Sequence, residues 1–203
     1  MRLMLRLFLT ALFLFPAAAL ADTPEIGQPA PAFSVQDISG QTQSLARYKG
    51  SVVVMEWSNP GCPFVRKHYG SGNMQSLQRT AREKGVVWLT VNSSAPGKQG
   101  NMTVEQAKNW VAEMKASPSA YILDAKGTLG RLYGAKATPH MFVIDPSGRL
   151  AYAGAIDDKP SFDQGDVKTA DNYVMDAVNA LLAGKPVAVA STRAYGCSVK
   201  YED

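Results

Sequence analysis

Residues that bind metal ions or form cross-links are scarce in this sequence, which has two cysteines and two histidines among 203 residues. Two cysteines permit one disulfide, and this number is too small for a disulfide-rich scaffold. The cysteines and histidines follow no recognisable ligand spacing, so we expect neither a metal site nor a cofactor. The 21 basic and 17 acidic residues are interleaved, without a lysine- and arginine-rich block. This distribution predicts no nucleic-acid partner.

A long apolar run occurs only at the start of the chain. Arg2 and Arg6 precede an almost unbroken apolar segment at 7–15, and Ala19-Leu20-Ala21 supplies the small residues that a signal peptidase reads. The apolar segment is shorter than the ~20 residues that span a bilayer. We therefore predict a signal peptide at 1–21, export to the periplasm or beyond, and no membrane contact after cleavage. An uncleaved anchor is the alternative.

The hydrophobic pattern of the remaining chain predicts one α/β domain at 22–185, with a mixed sheet covered by helices on both faces. Runs of β-branched and apolar residues predict buried strands, and Ser39-Gly40 indicates the turn of a small N-terminal hairpin. A tail at 186–203, rich in small and polar residues, carries Cys197. The predicted strands are 51–57, 86–91, 120–123, 141–144 and 150–153, and the predicted helices are 63–84 (interrupted near 70–72), 103–114, 127–133 and 173–182.

Cys62 is the strongest candidate for chemistry, because it lies where a predicted buried strand ends and a helix begins. Pro63 follows at the first helical position, where a missing N–H costs nothing. Unpaired N–H groups and the positive end of the helix dipole favour thiolate over thiol there, and Arg66 and Lys67 add positive potential. We predict a lowered pKa and a reactive thiol at Cys62. An inert buried cysteine, or half of a static disulfide, is the alternative.

The remaining polar and aromatic candidates are expected to be structural. His68 lies off the helix face of Cys62, and alternation along the strand points His140 away from Pro139. Asp157-Asp158 is expected to form a solvated turn rather than a metal site. Trp57 is expected in the core rather than as a lid over the thiol.

Thr138-Pro139 leads directly into the predicted strand at 141–144. From the sequence alone, a trans proline that opens the strand is the stronger expectation, because cis bonds are a small minority. A cis bond would present the backbone of Thr138 beside the thiol of Cys62.

Seven segments together carry a family pattern: the strand at 51–57, Cys62-Pro63-Phe64-Val65, 134–139 (GAKATP), 143–148 (VIDPSG), 156–158 (IDD), 180–187 (ALLAGKPV) and 196–201 (GCSVKY). They resemble the thioredoxin superfamily and, within it, the exported peroxiredoxin-like branch of the redoxin or AhpC/TSA type. The resemblance covers nearly the whole chain after the predicted signal peptide, and the tail is its most specific part.

The resemblance implies a thioredoxin-like three-layer α/β/α fold. Within it, Cys62 corresponds to the first cysteine of the thioredoxin motif, and Pro139 to the cis proline that faces it. Val65 stands where thioredoxin has its second cysteine, so no local dithiol can form. Asn59 stands three residues before Cys62, where peroxiredoxins carry threonine or serine.

The resemblance also implies a thiol-disulfide oxidoreductase or a peroxiredoxin-like antioxidant protein, with Cys62 as nucleophile and Cys197 as resolving cysteine. Its substrate would be a protein disulfide or a hydroperoxide, contacted by Thr138, Pro139 and Asn59, with a reductant that the sequence does not specify. Two cysteines in an oxidising compartment predict a Cys62–Cys197 disulfide, either catalytic or structural. A non-catalytic binding module with a static disulfide is the alternative.

Overall fold

The computed structural model describes residues 24–202, so the predicted signal peptide lies outside the described residues. Helices and strands alternate along most of this range. The strands are β1 (Ser34–Gln36), β2 (Thr42–Ser44), β3 (Val53–Trp57), β4 (Val87–Asn92), β5 (Ala120–Leu123), β6 (Ala137–Thr138), β7 (His140–Ile144), β8 (Leu150–Gly154) and β9 (Cys197–Ser198). The helices are α1 (Pro63–Gly70), α2 (Asn73–Glu83), α3 (Val104–Glu113), α4 (Thr128–Leu132) and α5 (Tyr173–Leu182), with 3-10 turns at Leu45–Tyr48 and Gln164–Lys168.

The central sheet has five strands in the order β5-β4-β3-β7-β8. Strands β3, β4 and β5 are parallel, whereas β7 runs antiparallel to both β3 and β8. All five residues of β3 are buried, as expected for an apolar central strand with neighbours on both sides. The predicted mixed sheet is confirmed, and so is the small N-terminal hairpin formed by β1 and β2.

Two apolar clusters lie on opposite faces of this sheet, because successive side chains of a strand point to opposite sides. Val54 of β3 belongs to one cluster, together with Cys62 and apolar residues of α1, α2 and α5. Val53 and Met55 belong to the other, which is covered by α4 and the N-terminal segment. The chain therefore has the predicted three-layer arrangement.

The ends of the helices follow from local sequence. Pro63 occupies the first turn of α1, directly after the N-cap residue Cys62. Gly72 has a φ of +77° between α1 and α2, which confirms the predicted interruption of the long helix. Thr103 and Gln106 form a capping box at the start of α3, with hydrogen bonds of 3.2 and 2.8 Å. Among the described residues, no helix is long and apolar enough to cross a membrane.

The C-terminal tail is fixed to the domain by backbone hydrogen bonds. Its first half runs beside β8, where the N–H of Ala153 donates to Ala190 (3.1 Å) and the N–H of Thr192 donates to Ala153 (3.2 Å). Its second half forms β9, which pairs antiparallel with β6. The small sheet of β6 and β9 therefore holds the tail against the domain.

Candidate functional site

Cys62 lies at the N-terminus of α1, at the point where the chain leaves the central strand β3. Its backbone is extended, with φ −82° and ψ 126°, and its N–H donates to the carbonyl oxygen of Asn59 at 2.9 Å. Its exposed fraction is 0%. The predicted position of this cysteine is confirmed, but the thiol lies beneath the surface rather than on it.

Pro139 faces Cys62 from the turn between β6 and β7. The Thr138–Pro139 peptide bond is cis, so the expectation of a trans bond from sequence alone is wrong, and the expectation from the family resemblance is confirmed. In its thiol form, Cys62 donates a hydrogen bond to the carbonyl oxygen of Thr138 at 3.0 Å. The backbone of Thr138 therefore lies beside the sulfur.

Cys197 reaches the same place from the C-terminal tail. In the β6–β9 pair it stands opposite Thr138, whose carbonyl oxygen accepts from Cys62, and the two thiols are close enough for each to shift the pKa of the other. Gly196 makes this approach feasible, because its φ is +130° and a Cβ on it would lie 2.0 Å from the carbonyl oxygen of Thr138. Both thiols are free, and Cys197 is partly exposed. The structure therefore brings together two cysteines that are 135 positions apart (197 minus 62).

The two thiols have opposite acidities. Burial raises the pKa of Cys62, but hydrogen bonds to its thiolate outweigh the burial, and the net pKa is lowered. Their donors are the thiol of Cys197, the backbone N–H of Val65 and the side chain of Thr138. Burial and the neighbouring Cys62 raise the pKa of Cys197 to about 11. Cys62 is therefore the more acidic thiol of the pair, and Cys197 the less acidic one.

Arg66 and Lys67 were expected to add positive potential at Cys62, but in the structure both side chains bind other groups. Lys67 is fully buried and turns to Asp157, with Nζ 3.6 Å from Oδ2, and it also donates to the carbonyl oxygen of Lys159 at 2.7 Å. Arg66 is exposed, and its Nε donates to the carbonyl oxygen of Pro60 at 3.0 Å. The acidity of Cys62 therefore arises chiefly from hydrogen bonds.

Asp157 is not the solvated turn that the sequence predicted, because only 2% of its surface is exposed. Its Oδ1 accepts hydrogen bonds from the hydroxyl of Tyr195 and from the N–H of Lys159. Its Oδ2 has no hydrogen-bond partner among residues 24–202, and it faces the buried cation of Lys67 and the ring of His68, 3.8 Å away. A buried carboxylate needs such a cation, which explains why Lys67 is drawn inward.

His68 belongs to this buried network. Its Nε2 lies 3.3 Å from the hydroxyl of Tyr195, and the side-chain amide of Asn73 lies 2.9 Å from its Nδ1. Burial, the largest effect, lowers the pKa of His68 to about 4, against the opposing charge of Asp157. His68 is therefore a neutral buried side chain. Tyr195 lies two residues before Cys197, so the network fixes the tail next to the thiol pair.

Asn59 holds a neighbouring loop rather than the thiol. Its Nδ2 donates to the carbonyl oxygen of Gln99 at 3.1 Å, and its Oδ1 accepts from the N–H of Gly61 at 2.8 Å. With both polar ends of the amide bonded to backbone, the structure gives Asn59 a role in shaping the loop before Cys62. A contact between Asn59 and a substrate stays a prediction.

His140 and Trp57 lie on the far side of the sheet from the thiols. His140 stacks on Phe142 at 4.4 Å between ring centroids, and burial lowers its pKa to about 4. Trp57 is fully buried and packs between Phe142 and Tyr133, with centroids 5.1 and 5.7 Å away. The expectation that Trp57 belongs to the core is confirmed.

Glu56 was not singled out by the sequence analysis, although a charged residue within a buried strand is a signal that could have been read. It is fully buried, and it accepts hydrogen bonds from Tyr69, Gln78, Trp88 and Thr90 at 2.8 to 3.3 Å. Burial raises its pKa against these four donors. Tyr69 and Trp88 share the apolar cluster of Cys62, so Glu56 lies behind the thiol site.

Comparison with known structures places the chain among the thioredoxin-fold proteins. A hypothetical protein from Sinorhizobium meliloti 1021 superposes with a TM-score of 0.72 and 25% identity, over 89% of this chain and 97% of that one. A protein provisionally described as the thiol:disulfide interchange protein DsbE of Chlorobium tepidum gives 0.60 and 24%, over 78% and 99%. The thioredoxin domain of a thiol-disulfide oxidoreductase from Bacteroides vulgatus gives 0.51 and 22%, over 64% and 87%.

The sequence profile of the AhpC/TSA family matches residues 26–153, which is more than half of the chain. The protein therefore belongs to the AhpC/TSA family. No curated protein sequence matches the chain. The profile ends at Ala153, before the tail, so the family match covers Cys62 and Pro139 but not Cys197.

Proposed function

We propose that this protein is an exported thiol-disulfide oxidoreductase whose redox couple is Cys62 and Cys197. The observation that carries the proposal is that Cys197 stands opposite Thr138 in the β6–β9 pair, while the thiol of Cys62 donates to the carbonyl oxygen of the same Thr138 at 3.0 Å. Two sulfurs beside the same residue need only a local movement to reach the ~2.05 Å of a disulfide. The pair replaces the local dithiol that Val65 makes impossible.

The acidities of the two thiols support this function. Thiol-disulfide exchange requires a thiolate, and Cys62 has the lowered pKa. Cys197, as the proton donor, keeps that thiolate stable until an oxidant arrives. In the cycle, the thiolate of Cys62 forms the bond to Cys197 when the protein is oxidised.

A disulfide substrate is favoured over a hydroperoxide. Asn59 occupies the position of the peroxiredoxin threonine or serine, and its amide is bonded to the backbone of Gln99 and Gly61. Hydrogen peroxide should therefore be consumed slowly, and a peroxide reductase rate equal to the disulfide rate would contradict this assignment. Export is supported by the apolar segment and the Ala19-Leu20-Ala21 pattern at the N-terminus.

The reduction potential of the Cys62–Cys197 couple tests the proposal. Redox titration of the full chain in thiol-disulfide buffers, followed by alkylation and mass spectrometry, would measure it. We expect a potential above about −300 mV, because hydrogen bonds that stabilise the Cys62 thiolate stabilise the reduced form. Cys197→Ser is the matched control, since it retains Cys62 but cannot form the couple.

The alternative is a binding module in which the disulfide is a static staple. A potential below about −300 mV, the range of structural disulfides, would support that alternative and reject catalysis. Failure of the two cysteines to form a disulfide under any oxidant would reject both.

A further inference from the structure

We infer that thiols from outside the protein exchange with the redox pair at Cys197, whereas Cys62 is the internal partner. The inference rests on the proposed function, because it takes the Cys62–Cys197 disulfide as the oxidised form. It exchanges the roles expected from the sequence, in which Cys62 meets the substrate and Cys197 resolves the product.

Accessibility is the first argument. Cys62 has no exposed surface, and its sulfur is surrounded by the carbonyl oxygen of Thr138, the N–H of Val65 and the thiol of Cys197. Cys197 is partly exposed. An attacking sulfur must approach along the axis of the disulfide bond, so the more exposed of the two cysteines is the one that it can reach.

The tail is anchored on both sides of Cys197, which is the second argument. Two residues before it, the hydroxyl of Tyr195 donates to the buried carboxylate of Asp157. Two residues after it, the N–H of Val199 donates to the carbonyl oxygen of Lys136 at 3.2 Å. Uncovering Cys62 would require both anchors to break, whereas attack at Cys197 requires neither.

The acidity of the leaving group is the third argument. A disulfide breaks more readily when the departing sulfur has the lower pKa. Departure of Cys62 places the charge where Val65 and Cys197 donate hydrogen bonds to it. Departure of Cys197 would place the charge on the sulfur with the higher pKa. Attack at Cys197 is therefore favoured by the acidities as well as by access.

An external thiolate attacks the sulfur of Cys197, the new sulfur–sulfur bond forms, the Cys62–Cys197 bond breaks, and the electron pair remains on Cys62 as thiolate. A second external thiolate then attacks the external sulfur of the mixed disulfide. This releases an external disulfide, and Cys197 takes a proton from water. Two external thiols are oxidised and the protein disulfide is reduced, and oxidation of the protein follows the same steps in reverse.

Location of the mixed disulfide tests the inference directly. The full-length oxidised protein is mixed with reduced glutathione, quenched in acid within the first turnover, alkylated and mapped by peptide mass spectrometry. We expect glutathione on Cys197 and the alkyl group on Cys62, and glutathione mainly on Cys62 would overturn the inference. An intact mass that shows no disulfide before glutathione is added would instead reject the proposed function.

Two single-cysteine variants give a second measurement where the mixed disulfide is too short-lived to map. Cys62→Ser and Cys197→Ser differ in which thiol remains, and each is reacted with N-ethylmaleimide and with the same maleimide on a large polymer. The ratio of the rate with N-ethylmaleimide to the rate with the polymer-bound maleimide should be at least about tenfold greater for Cys62, measured in Cys197→Ser, than for Cys197, measured in Cys62→Ser. Equal losses, with near-native circular dichroism for both variants, would overturn the inference.

Discussion

Replacing Cys197 with alanine should raise the pKa of Cys62. Burial raises the pKa of Cys62, and the thiol of Cys197 contributes most among the hydrogen bonds that lower it. With the donor removed, the burial of Cys62 is less well compensated. The side chain of alanine is smaller than that of cysteine and leaves space for water. A water molecule that donates to the thiolate would make the rise in the pKa of Cys62 smaller.

The magnitude follows from the energy of a hydrogen bond to a charged group, which is about 1.5–3 kcal/mol. Because each 1.36 kcal/mol changes an ionisation equilibrium about tenfold, the thiolate-to-thiol ratio of Cys62 at a fixed pH should fall by roughly ten- to a hundredfold. A water molecule in the vacated space would move the result towards the smaller figure.

The ultraviolet absorbance of the thiolate, recorded against pH, measures this change without a labelling reagent. Cys197→Ala leaves Cys62 as the only cysteine, so the signal has a single source. Cys197→Ser is the matched control, since its hydroxyl retains a donor of similar size. The serine variant should titrate between the wild type and the alanine variant.

If the pKa of Cys62 were the same in both variants as in the wild type, this reasoning would be refuted. In that case the N-terminus of α1 alone, through the N–H of Val65, would account for the acidity of Cys62. The assignment of Cys197 as proton donor would then be wrong, although the proximity of the two sulfurs would stand.

Three further predictions concern the surroundings of the pair. Gly196→Ala should slow Cys62–Cys197 disulfide formation by glutathione disulfide at least about tenfold, because its Cβ would meet the carbonyl oxygen of Thr138 at 2.0 Å; Gly184→Ala, with φ +66° and nothing within 4 Å, is the control and should not slow it. Lys67→Met should lower the free energy of unfolding in urea by about 3–5 kcal/mol, since a buried carboxylate loses its cation; a loss below about 1 kcal/mol, the scale of an exposed ion pair, would contradict the burial argument. His68→Gln should remove about one proton from the uptake on unfolding between pH 6.5 and about 4, because the folded pKa is depressed and stability is lost as the pH falls through that range; unchanged pH dependence would show that His68 is protonated in the folded state.

Local sequence was enough to predict the part of the site on α1. A thiol at a helix N-terminus is specified by the end of a strand, a short break and a cysteine directly before Pro63. These features are close together in the sequence, because β3 ends at Trp57 and α1 begins at Pro63. The central strands and α5 were predicted within one or two residues for the same reason, because their periodicity is continuous.

The partners of the site that depend on distant parts of the chain were not predictable in this way. Asp157-Asp158 has the composition of a solvated turn, and only the approach of Lys67 and Tyr195 from elsewhere makes Asp157 a buried carboxylate. The same holds for β9, whose two residues carry no periodicity and become a strand only by pairing with β6. Glu56 differs, because a charged residue within an apolar strand is visible in the local sequence and could have been predicted to be a buried carboxylate.

Separating the two cysteines along the chain has a thermodynamic consequence that a local dithiol lacks. A Cys62–Cys197 disulfide closes a loop of 135 positions, for which the loop-entropy treatment gives a stabilisation of about 5 kcal/mol. Folding and oxidation form a thermodynamic cycle. The free energy by which oxidation stabilises the fold therefore equals the free energy by which folding stabilises the disulfide. Hydrogen bonds that hold the Cys62 thiolate oppose this, because they stabilise the reduced folded state. The difference in unfolding free energy between oxidised and reduced protein therefore measures which effect dominates: a small difference characterises a reversible catalytic couple, and a difference near the full loop value characterises a staple.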